Sequence, residues 1–116
     1  MKIIVTGASG RIGYELAENF IKNKNEVVCT SFDNPFSIEG ADVQKLDLTE
    51  RKKVFDFVNK IKPELLIHTA ALTNVDLCET DTALAHKVNV EGTKNVVDSC
   101  KNFNCRIVFV SSSFVF

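Results

Sequence analysis

The 116-residue chain has no tryptophan, one tyrosine, one methionine, two prolines and two histidines. Each shortage excludes something. His68 and His86 stand alone, and Cys29, Cys78, Cys100 and Cys105 form no CxxC pair, so no zinc-ligand spacing exists and no metal site is expected. The cysteines lie in or beside apolar periodic segments. Buried, reduced thiols are expected, as in a cytosolic compartment, with a catalytic thiol as the alternative. No apolar run approaches the roughly 18 residues of a membrane span. The opening Met1-Lys2-Ile3-Ile4-Val5 is too short an apolar stretch before Thr6-Gly7 to be a signal peptide. A cytoplasmic protein with no membrane partner is the expectation. Neither sign of charge dominates: 14 Lys+Arg against 15 Asp+Glu give a net charge of −1, which offers nothing to a nucleic acid.

What is present reads as one α/β domain. Hydrophobic residues make up 45% and charged residues 25% of the chain, with no repeat, low-complexity tract or linker. Lys2–Thr6 (KIIVT) is a β-branched run suited to a strand buried on both faces. After a glycine-rich turn, Ile12, Leu16, Phe20 and Ala17, Ile21 recur at helical spacing, and Asn23-Lys24-Asn25 is a helix stop. A second strand is expected at Val27–Thr30 and a short third at Val43–Leu46. Thr49 is then expected to cap a helix bearing Val54, Phe57, Val58 and Ile61, stopped by Pro63. Leu65–His68 is a fourth strand, a helix is expected from about Thr80 to Asn102, and Arg106–Ser111 is a fifth strand. The alternation predicts right-handed crossovers and a Rossmann-type, doubly wound parallel sheet. The apolar ending Phe114-Val115-Phe116 just past a core strand suggests a natural chain that continues.

Thr6-Gly7-Ala8-Ser9-Gly10-Arg11-Ile12-Gly13 carries glycines at i, i+3 and i+6. Gly7 permits a tight turn out of the first strand, Gly10 lets a pyrophosphate approach the backbone, and Gly13 lets the helix pack against the sheet. The helix N-terminus offers free N–H groups and partial positive charge to phosphates. The loop follows a strand and opens a helix within a βαβ unit, the setting that separates a dinucleotide loop from an ordinary turn. The expected contacts are Gly7, Ser9, Gly10, Arg11 and Ile12 from the loop and Ser31 from the second strand. An acidic residue roughly 20 residues on would select NAD through its ribose 2′-OH. Thr30, Ser31 and Phe32 hold that place, with Asp33 two positions late. Arg11 can meet a 2′-phosphate, or is simply an exposed helix-start residue. NADP is favoured and NAD stays open.

The TGxxGxxG spacing resembles that of the extended short-chain dehydrogenase/reductases, which modify nucleotide sugars. Four further segments fall in the family's order: Leu46-Asp47-Leu48-Thr49, His68-Thr69-Ala70-Ala71, Asn89-Val90-Glu91-Gly92-Thr93-Lys94-Asn95, and Val110-Ser111-Ser112-Ser113-Phe114-Val115-Phe116. The resemblance implies that Asp47 and Leu48 contact adenine and that Ala70 and Ala71 line the cofactor. It implies that Asn89 helps hold a catalytic lysine through water, and that Ser112 polarises the substrate carbonyl. Asn89 also reads as a kink or surface amide, and Ser112 as a strand-end hydroxyl, with Ser111 and Ser113 as neighbours one position away. Within the family, Ala70–Glu79 (AALTNVDLCE) and the SSSFVF ending are most similar to the dTDP-4-dehydrorhamnose reductases.

That likeness implies an oxidoreductase of dTDP-rhamnose biosynthesis, reducing a 4-keto deoxysugar nucleotide with NADP or NAD as a homodimer when full length. The family's catalytic Tyr-x-x-x-Lys is absent: Tyr14 is the only tyrosine, read as a packing or surface residue, and Glu18 stands four residues on. The chain alone is therefore expected to be inactive, the Tyr/Lys segment and substrate domain lying elsewhere. Asp76 and Glu79 read as helix-capping residues before substrate-facing ones, and His68 and His86 as structural histidines. An epimerase or dehydratase of the same family, or a non-catalytic dinucleotide-binding regulatory subunit, are the competing readings.

Overall fold

The run Lys2–Thr6 forms strand β1, buried from Ile3 to Thr6, as a strand covered on both faces must be. In the computed structural model, which describes residues 1–8, 10–31, 36–69 and 87–110 with main chain alone at 87–89, β1 is the centre of a five-stranded parallel sheet. On one side lie β2 (Glu26–Ser31) and then β3 (Ala41–Lys45). On the other lie β4 (Leu65–His68) and then β5 (Arg106–Phe109). The spatial order is β3-β2-β1-β4-β5, the Rossmann order expected from the alternation of elements.

Alternate residues of the central strands face opposite layers. Ile4, paired with Val28 and Leu66, joins Leu48, Val54, Phe57, Val58, Val96 and Cys100 in one core. That core lies under helices α2 (Arg51–Ile61) and α3 (Thr93–Asn102). Ile3, Val5, Val27, Cys29 and Ile67 join Ala17 of helix α1 (Arg11–Lys22) in the other. Tyr14 packs against this second core. The edge strands are more open, and β5 leaves Val108 and Phe109 42% and 50% exposed.

Several boundaries differ from the sequence expectation. β3 begins at Ala41 and ends at Lys45, because its start is set by pairing with Val27 rather than by its own sparse apolar residues. β5 ends at Phe109. Ahead of α3, Lys87–Gly92 is a π-helical stretch instead of α-helix, and the expected helical residues 80–86 lie outside the described residues. Thr49 does not cap α2. Glu50 is the N-cap, with no side-chain cap bond, while Thr49 donates both its N–H (2.9 Å) and its hydroxyl (2.6 Å) to Asp47 Oδ1. The carboxylate two residues back is the stronger acceptor and takes the hydroxyl away from the helix. Helix α2 stops at Lys62, held left-handed at φ 53°, with Pro63 barring continuation.

Candidate functional site

The chain runs from β1 outward to β3, then returns past β1 to β4, so the sheet reverses direction between β1 and β4. Ligands of open parallel sheets bind at that switch point, beyond the carboxyl ends of the strands. The glycine loop occupies it. Gly7 leaves β1 at φ 68°, a conformation glycine adopts without strain. Its carbonyl accepts from the Gly10 amide at 3.0 Å, closing the turn. Gly13 sits where any larger residue would collide: a Cβ there would lie 2.6 Å from Gly7 O, 2.9 Å from Ala8 Cα and 2.9 Å from Thr69 Oγ1.

Gly10 is different. Its φ and ψ of −81° and 162° suit any residue, so backbone conformation does not call for glycine there. Gly10 is the N-cap of α1, without a side-chain cap bond and with no acidic residue in the first turn. The first-turn amides of α1 therefore point into the loop with the positive end of the helix dipole behind them. Arg11 adds a cation at that end, where it is unfavourable until an anion arrives. Its Nε lies 3.6 Å from Glu15 Oε1, and the side chain is 90% exposed, so it is free to swing toward a ligand. Ile12 is also exposed, at 41%.

Ser31 is buried at the end of β2, and its carbonyl accepts from the Leu46 amide at 2.9 Å. That bond fastens the β3–α2 turn beside the β2 end, so Asp47 and Ser31 belong to one region. Asp47 is half-buried, whereas Leu48 is turned into the core. Asn89 lies in the π-helical stretch. Ser9, Ala70, Ala71, Ser112 and its neighbours Ser111 and Ser113, and also Asp33, Asp76, Cys78, Glu79 and His86, lie outside the described residues.

Beneath the switch point is a buried polar network that sequence reading did not anticipate beyond His68. The imidazole Nδ1 is 2.9 Å from Thr6 Oγ1 and Nε2 is 3.2 Å from Thr93 Oγ1. The Thr69 amide donates to Thr6 Oγ1 at 3.0 Å, and the Thr69 hydroxyl donates to Thr6 O. Burial pushes the His68 pKa down to about 4, so the ring is neutral at pH 7, with both nitrogens bonded. It ties the carboxyl ends of β1 and β4 to α3 and is the structural histidine expected. The described cysteines are free and buried, and burial pushes the Cys29 and Cys100 thiols up to about 11 and 12. Burial thus favours the protonated thiol over the nucleophilic thiolate. Among the described residues no group of His, Cys, Asp and Glu can hold a metal ion, and no helix is long and apolar enough to cross a membrane.

Asn95 was named only as the last residue of the Asn89–Asn95 segment, with no role. It is 6% exposed on the inner face of α3 and donates from Nδ2 to Leu48 O at 2.8 Å. A polar residue beside Val96 on the buried stripe of a helix was the available signal.

A parallel sheet in this order, with a glycine loop opening a helix N-terminus at its switch point, defines a Rossmann-type fold of the short-chain dehydrogenase/reductase kind. The chain belongs to the family described as the RmlD substrate binding domain, whose match runs over residues 1–116. It is 30% identical over 115 residues to a dTDP-4-dehydrorhamnose reductase of Aggregatibacter actinomycetemcomitans, covering 99% of this chain and 36% of that protein. It is 33% identical to a dTDP-4-dehydrorhamnose reductase of Burkholderia thailandensis over 116 residues, 100% of this chain and 35% of that protein. Among solved structures it resembles the UDP-glucose 4-epimerase of Thermus thermophilus in complex with NAD, with a TM-score of 0.85 and 25% identity over 97% of this chain and 38% of the other. The chain thus spans little more than a third of the length of these relatives.

Proposed function

We propose that the chain is the dinucleotide-binding part of an NAD(P)H-dependent reductase of a 4-keto deoxysugar nucleotide. The observation that carries this reading is the N-terminus of α1 behind Gly10, with no acidic residue in its first turn and a glycine whose backbone conformation does not require glycine. The first-turn amides of α1 would bind the pyrophosphate, with Gly7, Ser9, Gly10, Arg11 and Ile12 around it. Ser31 and the Asp47–Leu48 turn would hold the adenosine end. Ala70, Ala71, Asn89 and Ser112 would face the nicotinamide end, Ser112 bonding the substrate carbonyl. When bound, the cofactor supplies the hydride. The chain's own residues neutralise the phosphates, orient the two ends and polarise the carbonyl.

The Tyr-x-x-x-Lys proton donor and a substrate domain must come from further polypeptide, since Tyr14 is packed in the α1 core. On the same reading the complete protein is a cytoplasmic homodimer. Arg11 favours NADP. The NAD-bound epimerase likeness supports a second reading, a nucleotide-sugar epimerase.

Calorimetric titration with NADPH and NADH tests the cofactor reading, with Gly10→Val as control. Valine fits the Gly10 backbone, so the variant should fold and lose binding. Binding that survives the substitution would sink the reading. In the complete protein, a reductase consumes one NAD(P)H per 4-keto sugar nucleotide, whereas an epimerase leaves the cofactor balance unchanged.

A further inference from the structure

The turn between β3 and α2 is held by α3 at two points. A Cβ at Gly92 would lie 3.2 Å from Leu48 Cβ, so the absence of a side chain there lets the start of α3 come against Leu48. One turn on, the Asn95 amide donates to Leu48 O at 2.8 Å. Its other end, Oδ1, accepts from Arg51 Nη1 at 3.2 Å. Arginine only donates, so Oδ1 must face Arg51 and Nδ2 must face the Leu48 carbonyl; the amide has one orientation. Arg51 is held in turn by Asp98 at 2.8 Å and lies over the Phe55 ring. The same turn is closed on itself by Thr49 and Asp47.

We infer that Asn95 is a positioning residue for the adenine end of the cofactor site: by gripping Leu48 O it sets where Asp47 and the turn's main chain stand beside the β2 end. The inference rests on the cofactor reading above. Asn95 touches no ligand and acts through the turn. Because α3 continues from the π-helical stretch that carries Asn89, one helix then spaces the adenine end from the nicotinamide end.

The test uses Asn95→Leu, with Asp56→Ala as a control that removes the exposed Lys52 pair on α2 and leaves Arg51, Asn95 and the Leu48 bond in place. The probes are ADP and nicotinamide mononucleotide, each titrated separately, and amide hydrogen exchange over residues 47–50. Asn95→Leu is expected to weaken ADP about tenfold, leave the mononucleotide within twofold and speed exchange in the turn; Asp56→Ala should do none of these. If Asn95→Leu does not fold, Asn95→Asp at pH 8 keeps the shape and the Arg51 contact, lacks the donor and carries the same expectation. Unchanged ADP affinity, or equal weakening of both probes, overturns the inference and leaves the cofactor reading standing. A wild-type chain that binds neither probe overturns the cofactor reading and the adenine assignment with it.

Discussion

Replacing Gly13 by alanine adds one methyl group at the tightest point of the glycine loop. That methyl would meet Gly7 O at 2.6 Å, Ala8 Cα at 2.9 Å and Thr69 Oγ1 at 2.9 Å. Two of these are main-chain atoms, which no rotamer change can move. The third belongs to a hydroxyl already bonded to Thr6 O. Overpacking costs about 1–3 kcal/mol, and two unyielding main-chain contacts put this site in the upper half, at about 2–3 kcal/mol. Alanine recovers at most about 1 kcal/mol of helix propensity over glycine. The net expectation is a loss of about 1–2 kcal/mol, or about 4–8 °C in Tm for a domain of this size. Urea unfolding should show a lower midpoint with an unchanged slope. A Gly13→Ala chain as stable as the parent would mean that helix and loop are not in the contact described, and the account of this glycine would fail.

Other outcomes follow from the same structure. His68 has a folded pKa near 4 against about 6.5 unfolded, so the unfolded chain binds the extra proton first. Its contribution is complete above about pH 6.5 and drains away as pH falls toward 4, about 2 kcal/mol being gone by pH 5. Urea midpoints at pH 5 and 7 should show that slope, and His68→Asn should flatten it. Lys62 is left-handed at φ 53° at the C-cap of α2, so Lys62→Gly should raise stability by about 0.5–1 kcal/mol in thermal melts. No described strand pairs with the outer edge of β5, and Val108 and Phe109 are exposed there. The 116-residue chain should therefore associate with rising concentration in sedimentation runs, and Val108→Lys should reduce it. A monomer at every concentration would speak against that.

The sheet was readable because its central strands are buried on both faces and carry near-continuous apolar runs. Lys2–Thr6 and Leu65–His68 were placed to the residue. β3 was shifted because an edge strand with pattern Ala-Asp-Val-Gln-Lys takes its limits from its neighbour. The loop glycines were readable one by one, since Gly7 and Gly13 each answer a local steric demand. What escaped was side-chain bonding between segments far apart in sequence. Thr6 to His68 spans 62 positions, and Asn95 to Leu48 spans 47. Periodicity marks Asn95 as buried on the α3 stripe, but it does not say what either side chain bonds. Thr49 shows a local failure of the same sort: a capping residue and a competing carboxylate stood two positions apart, and pattern alone did not say which would win.

The central claim is that a dinucleotide lies across the glycine loop with its pyrophosphate on α1. Amide chemical-shift mapping during NADPH and NADH titrations tests it most directly. The account predicts shifts concentrated at residues 7–13, at Ser31 and at Asp47–Leu48, with the outer face of α2 around Lys52 and Lys60 silent. Shifts centred elsewhere, or none at saturating cofactor in a folded chain, would contradict it.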